Sequence, residues 1–180
     1  EQVIRFLIEA IQNYRSTGAI APSSRFLART IVQSIPNTSP KRVLEVGCGT
    51  GAFTKEILTK LQDGDAFHVV ELSSDFSEAV DSALLQPFRE KNPKIEVVLH
   101  NAPIEEAKLE GTFDAIVCGL PFNNFPLELV QHLFSVMFGL LVSEGELAYF
   151  EYLGMRKLKR VFGFSKIRLD TKQRTRDINN

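Results

Sequence analysis

The chain has 180 residues, of which 44 % are hydrophobic, and 21 basic against 22 acidic residues leave a net charge of −1. This length and composition predict one globular domain with a substantial core, and no apolar run reaches the ~18 residues of a membrane-spanning helix. Two cysteines, Cys48 and Cys118, provide no disulfide framework and favour a reducing, cytoplasmic compartment.

Two helices are predicted before the first strand. Residues 3–15 place Ile4, Leu7, Ile8 and Ile11 at the spacing of one helix face, which predicts an amphipathic helix. A second helix is predicted from Ser23 or Ser24, either of which can cap it, to about Ile35.

From residue 42 onward, strand-like and helix-like segments alternate. The predicted strands are 42–47, 67–72, 95–99, 113–118 and 146–152, and the predicted helices are 52–61, 75–91 and 126–141. The longest apolar run, 133–142, is interpreted as part of a buried helix. This alternation predicts an α/β fold in which a central, mostly parallel sheet carries helices on both faces.

The C-terminal segment differs from the rest of the chain in charge. Residues 1–155 hold 12 basic and 20 acidic residues, whereas residues 156–180 hold 9 and 2. The segment begins with a helical pattern and then becomes too polar to assign. Its charge predicts either contact with an anionic surface, a membrane or a nucleic acid, or a solvated helix face and tail. The chain is short for a complete sheet of this type, so we expect it to run further.

Three glycines, Gly47, Gly49 and Gly51, join the first predicted strand to the helix after it. Without side chains they let a ligand lie against the backbone at the carboxyl edge of the sheet. Dinucleotide-binding loops space their glycines G-x-G-x-x-G and hold a pyrophosphate, which Glu45 would repel. A carboxylate at that position can instead pair with an ammonium group, which favours S-adenosylmethionine as the ligand.

Further cofactor contacts are predicted after the neighbouring strands. Glu71 follows the second strand, where a carboxylate can accept both ribose hydroxyls, and Asn101 follows the third, where its amide can hold the adenine edge. The other residues predicted to line the cofactor are Cys48, Leu72, Ala102, Gly119 and Leu120. The alternative is that Glu45 and Glu71 are ordinary solvated carboxylates at strand ends.

The stretch "VLEVGCGTGAFT" resembles motif I of class I S-adenosylmethionine-dependent methyltransferases, and Glu71 resembles their ribose-binding acid. The class typically has an acidic residue where Asn101 stands. This likeness covers about residues 42–152. It implies a Rossmann-like fold, S-adenosylmethionine as cofactor and S-adenosylhomocysteine as product, and it says little about the methyl acceptor.

The stretch "GLPFNNF", residues 119–125, resembles the N-L-P-Y and N/D-P-P-Y/F motifs of amine-modifying methyltransferases. In those families the leading Asn or Asp accepts protons from the target nitrogen. Gly119 stands at that position here, which predicts more space and backbone carbonyls for an aliphatic amine. The Phe122 ring could face an ammonium group; alternatively, the segment is a tight turn with core phenylalanines.

"TGAIAPSSRFLAR", residues 17–29, and "GLPFNNFP" resemble bacterial phospholipid N-methyltransferases and extend the likeness to residues 3–152. The resemblance implies methylation of phosphatidylethanolamine toward phosphatidylcholine; a similar branch acts on ornithine lipids. The deprotonated amine would attack the sulfonium methyl group in line and displace S-adenosylhomocysteine, and no catalytic base or metal ligand stands out. The residues predicted to contact the substrate are Tyr14, Arg25, Pro121, Phe122 and Asn123.

These interpretations predict one methyltransferase domain: a helical membrane and substrate lid (1–35), a cofactor-binding core (42–152) and a basic segment (153–180). We expect the protein in the cytoplasm, bound peripherally to the inner face of the membrane through the first helix and the basic segment. An RNA adenine N6-dimethyltransferase is the alternative, although the acidic main body argues against nucleic acid. A third class, a domain that binds the cofactor without catalysis, conflicts with the intact glycine loop.

Overall fold

The computed structural model describes residues 24–153 and 161–168, with side chains from Phe26 to Phe150 except that of Asn123. The amphipathic helix predicted for residues 3–15 lies outside the described residues. So do Tyr14 and most of the basic C-terminal segment.

The described elements follow the predicted alternation of strands and helices. In chain order they are α1 (Ser24–Ile31) with a 3-10 turn (Val32–Ser34), β1 (Arg42–Val46), α2 (Ala52–Leu58), β2 (Ala66–Val70), α3 (Ser74–Val80) with a π turn (Asp81–Leu85), α4 (Gln86–Lys91), β3 (Glu96–His100), β4 (Phe113–Cys118), a 3-10 turn (Phe122–Asn124), α5 (Leu127–Gly139), β5 (Leu141–Leu153) and β6 (Val161–Arg168). Within these ranges no helix is both long and apolar enough to cross a bilayer.

The six strands form one sheet in the order β3-β2-β1-β4-β5-β6. The first five are parallel, and β6 runs antiparallel to β5. The predicted α/β fold is therefore confirmed. Because the chain leaves β1 toward β2 on one side and later returns to β4 on the other, the crevice between β1 and β4 opens at the carboxyl edge. That is where ligands bind in open α/β sheets.

Both faces of the sheet are buried, as expected for parallel strands. On one face α1 and α2 pack against alternate strand residues, among them Val43 and Val117. On the other face α5 inserts Leu133 and Met137 against Leu44 and its neighbours. The sheet is therefore a rigid platform whose carboxyl edge carries the loops predicted to bind the cofactor.

A buried ion pair fixes the opposite, amino edge of the sheet. Lys41, immediately before β1, is fully buried, with Nζ 2.5 Å from Oδ2 of Asp65. Asp65, immediately before β2, also accepts hydrogen bonds from the Gln62 amide and the Ser39 hydroxyl. Although burial alone would raise it, these bonds and the one from Lys41 lower the pKa of Asp65 below its ordinary value.

Two segments differ from the sequence-based expectation. The apolar run 133–142 is not a single helix, because α5 ends at Gly139 and β5 begins at Leu141. Residues 161–168, for which the sequence predicts no regular element, form β6 and pair with β5 over eight residues. In both places the sheet supplies hydrogen-bond partners that the local sequence does not reveal.

Candidate active site

Backbone hydrogen bonds join the ends of three strands at the predicted glycine loop. The Gly47 amide donates to the Val70 carbonyl of β2, and the Gly119 amide donates to the Val46 carbonyl of β1, both at 2.8 Å. Gly47, Gly49 and Gly51 have φ values of 77°, 51° and 81°. These left-handed conformations disfavour residues that carry a Cβ, so the loop requires its glycines.

Gly47 and Gly49 differ in the space that a side chain would have at their positions. A Cβ on Gly47 would lie 2.7 Å from the Leu120 side chain, whereas a Cβ on Gly49 would meet nothing within 4 Å. Gly47 is thus a packing contact between the glycine loop and the chain after β4. Gly49 exposes bare backbone, where a ligand can approach closely.

Glu71 is 4 % exposed and is held by the glycine loop and the turn after β2. Its Oε2 accepts from the Gly49 amide at 2.9 Å and from the Cys48 thiol at 3.7 Å, and its Oε1 accepts from the Ser73 amide at 2.9 Å. A carboxylate can accept about four hydrogen bonds. With three of these in use, the fixed carboxylate retains acceptor capacity on Oε1 for a hydroxyl group, which fits the predicted ribose contact.

Glu45 lies within β1 and is fully buried. Among the described residues, neither of its carboxyl oxygens has a hydrogen-bond partner, and the buried hydroxyl of the adjacent Thr54 lacks one as well. Burial raises the pKa of Glu45 to about 8; Thr54 opposes this rise and the charge of Glu71 adds to it. A buried carboxyl without partners fits a site that is completed by a cationic ligand group.

Asn101 joins the end of β3 to the turn after β2. Its amide nitrogen donates to the carbonyls of Glu71 at 2.9 Å and Leu72 at 3.2 Å. Both amide hydrogens are then in use, which leaves the amide oxygen for an adenine amino group. The contacts predicted for Asn101, Leu72 and Ala102 remain predictions, and these residues lie on the same side of the crevice as Glu71.

Gly119 does not open space for the acceptor as predicted. A Cβ at this position would lie 2.3 Å from the Gly47 carbonyl oxygen, so the glycine loop already fills the place of a side chain. That part of the interpretation is wrong. The reason is the close approach of β1 and β4, which sequence spacing does not reveal.

Phe122 lies in an aromatic cluster. Its ring centroid is 5.0 Å from that of Phe134 and 5.7 Å from that of Tyr149, and the residue is 5 % exposed. In the described structure Phe122 thus packs in the core, the alternative considered for this turn. Pro121 is buried beside it, Asn123 lies in the following 3-10 turn, and Arg25 lies in α1.

His68, His100 and both cysteines pack against neighbouring residues, whereas His132 is exposed on α5, with Nε2 3.1 Å from Oε1 of Glu105. His68 and His100 approach to 3.0 Å between Nδ1 and Nε2, and burial, then the neighbouring Arg42 and His100, lower the pKa of His68 to about 4. Burial raises the pKa of Cys48 and raises that of Cys118 to about 12, so both are neutral thiols. Within the part of the chain described, no group of three or more residues could hold a metal ion.

Sequence reasoning missed two residues that orient the acids. Ser73 supplies the amide that holds Glu71, and Thr54 faces Glu45 from the first turn of α2. Thr54 could have been found from the sequence, because it lies three residues after Gly51 in "GTGAFT" and therefore on the first turn of the helix that follows the glycine loop.

Residues 43–145 match the family described as the methyltransferase domain. The chain belongs to this family. Its motif I and fold identify this methyltransferase as a class I, S-adenosylmethionine-dependent enzyme, with S-adenosylhomocysteine as the product. The glycine loop, Glu71 and the unpartnered Glu45 are the features of this chain that fit that cofactor.

This methyltransferase is similar to an ornithine lipid N-methyltransferase from Singulisphaera acidiphila, with 30 % identity over 145 residues, which are 78 % of this chain and 72 % of that one. Among solved structures, the plantazolicin methyltransferase BpumL in complex with S-adenosylhomocysteine has a TM-score of 0.53 at 19 % identity, covering 80 % of this chain and 52 % of that one. The StiE O-methyltransferase domain has a TM-score of 0.58 at 16 % identity, covering 78 % and 47 %. The chain thus spans about half the length of these solved structures.

Proposed function

We propose that this methyltransferase methylates the headgroup amine of a membrane lipid. Phosphatidylethanolamine, converted toward phosphatidylcholine, is the acceptor suggested by the "GLPFNNFP" and "TGAIAPSSRFLAR" stretches. An ornithine lipid is the second candidate. The observation that carries the lipid class is the likeness to an ornithine lipid N-methyltransferase over 72 % of that protein's length.

The residues of this chain act mainly by positioning the reactants, which can supply much of the catalysis in such a transfer. The bound cofactor supplies a methyl group on a sulfonium, which is a good leaving group. Glu71 would hold the ribose hydroxyls, Glu45 would pair with the ammonium group, and Gly49 would let the backbone approach the ligand. These contacts would fix the direction from which the amine must attack.

The packing around Gly119 supports an aliphatic acceptor amine. Because the Gly47 carbonyl oxygen lies 2.3 Å from a Cβ built there, no Asn or Asp side chain fits in this arrangement. The loop therefore lacks the side-chain hook described for aromatic amines. Backbone carbonyls of residues 119–121 would accept hydrogen bonds from the headgroup amine. Pro121 and Phe122, which are buried, would fix the shape of this turn, and Asn123, Tyr14 and Arg25 would contact the substrate.

Two exposed apolar side chains support contact with a lipid surface. Phe26 on α1 is 81 % exposed, and Leu127 at the start of α5 is 69 % exposed. Because α1 leads through its 3-10 turn to the start of β1 at the amino edge, its first residues, Phe26 among them, lie toward the opposite, carboxyl edge. Leu127 begins the helix that follows the loop after β4, so both lie toward the carboxyl edge of the sheet.

Methyl transfer from labelled S-adenosylmethionine tests the acceptor directly. The purified protein is incubated with vesicles containing phosphatidylethanolamine, with vesicles containing ornithine lipid, and with ribosomal RNA. We expect label in lipid, and its loss in Glu71→Ala but not in Lys94→Ala, which changes an exposed residue. Label in RNA alone would refute the lipid proposal in favour of the RNA adenine alternative, which the comparisons do not favour. Label in neither, despite cofactor binding, would refute both.

Vesicle flotation tests the membrane proposal separately. We expect flotation with anionic vesicles to fall when residues 1–15 are deleted, and also in the double variant Phe26→Gln, Leu127→Gln. A short-chain monomeric lipid amine should still be methylated by the double variant, because its cofactor site is unchanged. Undiminished flotation of both proteins would contradict the assignment of these segments to the membrane surface.

A further inference from the structure

Three buried oxygen atoms at the edge of the candidate active site lack partners. They are the two carboxyl oxygens of Glu45 and the hydroxyl oxygen of Thr54, and no described residue makes a hydrogen bond to any of them. Both residues are fully buried. Unpartnered buried polar atoms are rare in folded proteins, and each one calls for an explanation.

The surroundings of Glu45 contain no compensating positive charge among the described residues. Its neighbours in the sheet are Val69 on β2 and Val117 on β4. Thr54 faces it from α2, and Glu71, which carries the same charge, acts on it from the end of β2. The thiol of Cys48, in the glycine loop, is neutral and interacts with Glu71.

A carboxylate in such a place is costly to ionise, because burial and a like charge both disfavour the anion. Burial, the largest effect, raises the pKa of Glu45 to about 8. At neutral pH the free protein therefore holds a proton on Glu45.

We propose that Glu45 is neutral in the free protein and releases its proton to solvent when the ammonium end of the cofactor binds. In the free protein the neutral carboxyl group lies beside Thr54 and needs no ionic partner. In the complex the Thr54 hydroxyl donates to the carboxylate, which pairs with the ammonium group. One proton leaves the protein for each ligand bound, and no other bond is formed or broken.

Proton release couples cofactor affinity to pH. When one proton is released per ligand, the association constant rises about tenfold per pH unit well below the pKa of the free acid. The rise flattens as the pH approaches that pKa, where the α-amino group of the ligand also begins to lose its proton. The coupling applies to S-adenosylhomocysteine as well as to S-adenosylmethionine, because both carry the amino acid end. This coupling affects only the binding of the cofactor, so it does not depend on which amine accepts the methyl group.

Isothermal titration calorimetry in buffers of different ionisation enthalpy measures the released protons directly. The titrations use S-adenosylhomocysteine at pH 6.5–7, where its α-amino group, with a pKa of about 8, is mostly protonated. We expect close to one proton released per ligand. We expect none with 5′-methylthioadenosine, which has the same nucleoside and thioether but lacks the amino acid end.

Variants separate the roles of the two residues. Glu45→Gln should bind S-adenosylhomocysteine more weakly and release no proton. Thr54→Val should extend the tenfold rise of affinity per pH unit closer to pH 8, because without the Thr54 donor the pKa of Glu45 rises further, and Thr54→Ser should restore the wild-type profile. A merely structural role for Thr54 would change stability without moving the pH profile.

The wild-type comparison alone can overturn the proposal, even if Glu45→Gln fails to fold. Binding of S-adenosylhomocysteine without proton release would show that Glu45 is already ionised in the free protein. Equal proton release with 5′-methylthioadenosine would assign the titration to a group near the nucleoside instead. Either result refutes the proposal and leaves the lipid acceptor unaffected.

Discussion

Replacing Gly119 by Ala tests how closely the ends of β1 and β4 must approach. The Cβ of Gly119→Ala would lie 2.3 Å from the Gly47 carbonyl oxygen, and ordinary contact begins at 3.4 Å. The glycine loop and the chain after β4 would have to separate by about 1 Å. Backbone hydrogen bonds oppose this separation, because the Gly47 amide donates to the Val70 carbonyl and the Gly119 amide donates to the Val46 carbonyl, both at 2.8 Å.

The size of the effect follows from this displacement. Forcing one extra carbon into a packed site costs about 1–3 kcal/mol of the free energy of unfolding. A shift of about 1 Å in a positioning element can lower the rate of a catalysed step by about 100-fold. We therefore expect Gly119→Ala to unfold at lower denaturant concentration, to bind S-adenosylhomocysteine more weakly and to transfer methyl groups about 100-fold more slowly.

Gly139→Ala is the matched control, because a Cβ built on Gly139, at the end of α5, would meet nothing within 4 Å. It should leave binding unchanged and stability equal or slightly higher. Chemical denaturation and calorimetry on both variants supply the measurement. Wild-type stability and cofactor affinity in Gly119→Ala would refute the claim that the Gly47 carbonyl excludes side chains at position 119.

Three further substitutions test other parts of the structure. Lys41→Met should lower the free energy of unfolding by about 3–5 kcal/mol, because it leaves the buried carboxylate of Asp65 without its cation. Lys94→Ala, at an exposed ion pair, should leave the free energy of unfolding essentially unchanged. Equal effects of the two substitutions in urea denaturation would contradict the claim that the Lys41–Asp65 pair stabilises the fold. The pKa of His68 is about 4 in the folded state against 6.5 ordinarily, so the unfolded chain binds the proton first. Stability should be complete above about pH 6.5 and fall by at most about 3 kcal/mol toward pH 4, and His68→Gln should flatten this part of the pH profile. Glu71→Gln should weaken S-adenosylhomocysteine binding by about 10- to 100-fold, because it removes charge-assisted hydrogen bonds; unchanged affinity in calorimetry would remove Glu71 from the site.

The alternation of strands and helices was predictable because hydrophobic periodicity depends on each segment alone. The first strand was predicted at 42–47 and lies at Arg42–Val46, and the helix predicted at 126–141 is α5, Leu127–Gly139. The run 133–142 was misassigned because a buried helix and a buried parallel strand are both continuously apolar. Only pairing with β4 makes Leu141 the start of β5.

The cofactor site was predictable to the extent that spacing along one loop determines it. Three glycines before a helix, an acid two residues ahead and another acid after the next strand sufficed to indicate the ligand. Thr54 was missed because facing Glu45 is a relation between a helix and a strand. The aromatic packing of Phe122 could not be predicted from the loop, because its neighbours Phe134 and Tyr149 come from α5 and β5.

The sequence by itself determined the order of elements, the glycine loop and the two acids beside it, since these depend on local pattern and chain direction. Only the tertiary structure decided the state of the site. The Gly47 carbonyl fills the space beside Gly119, and Glu45 lies among apolar strands with no cation in reach among the described residues. Steric exclusion and the ionisation of a buried acid depend on atoms that packing brings together from distant parts of the chain, and one local stretch of sequence cannot specify them.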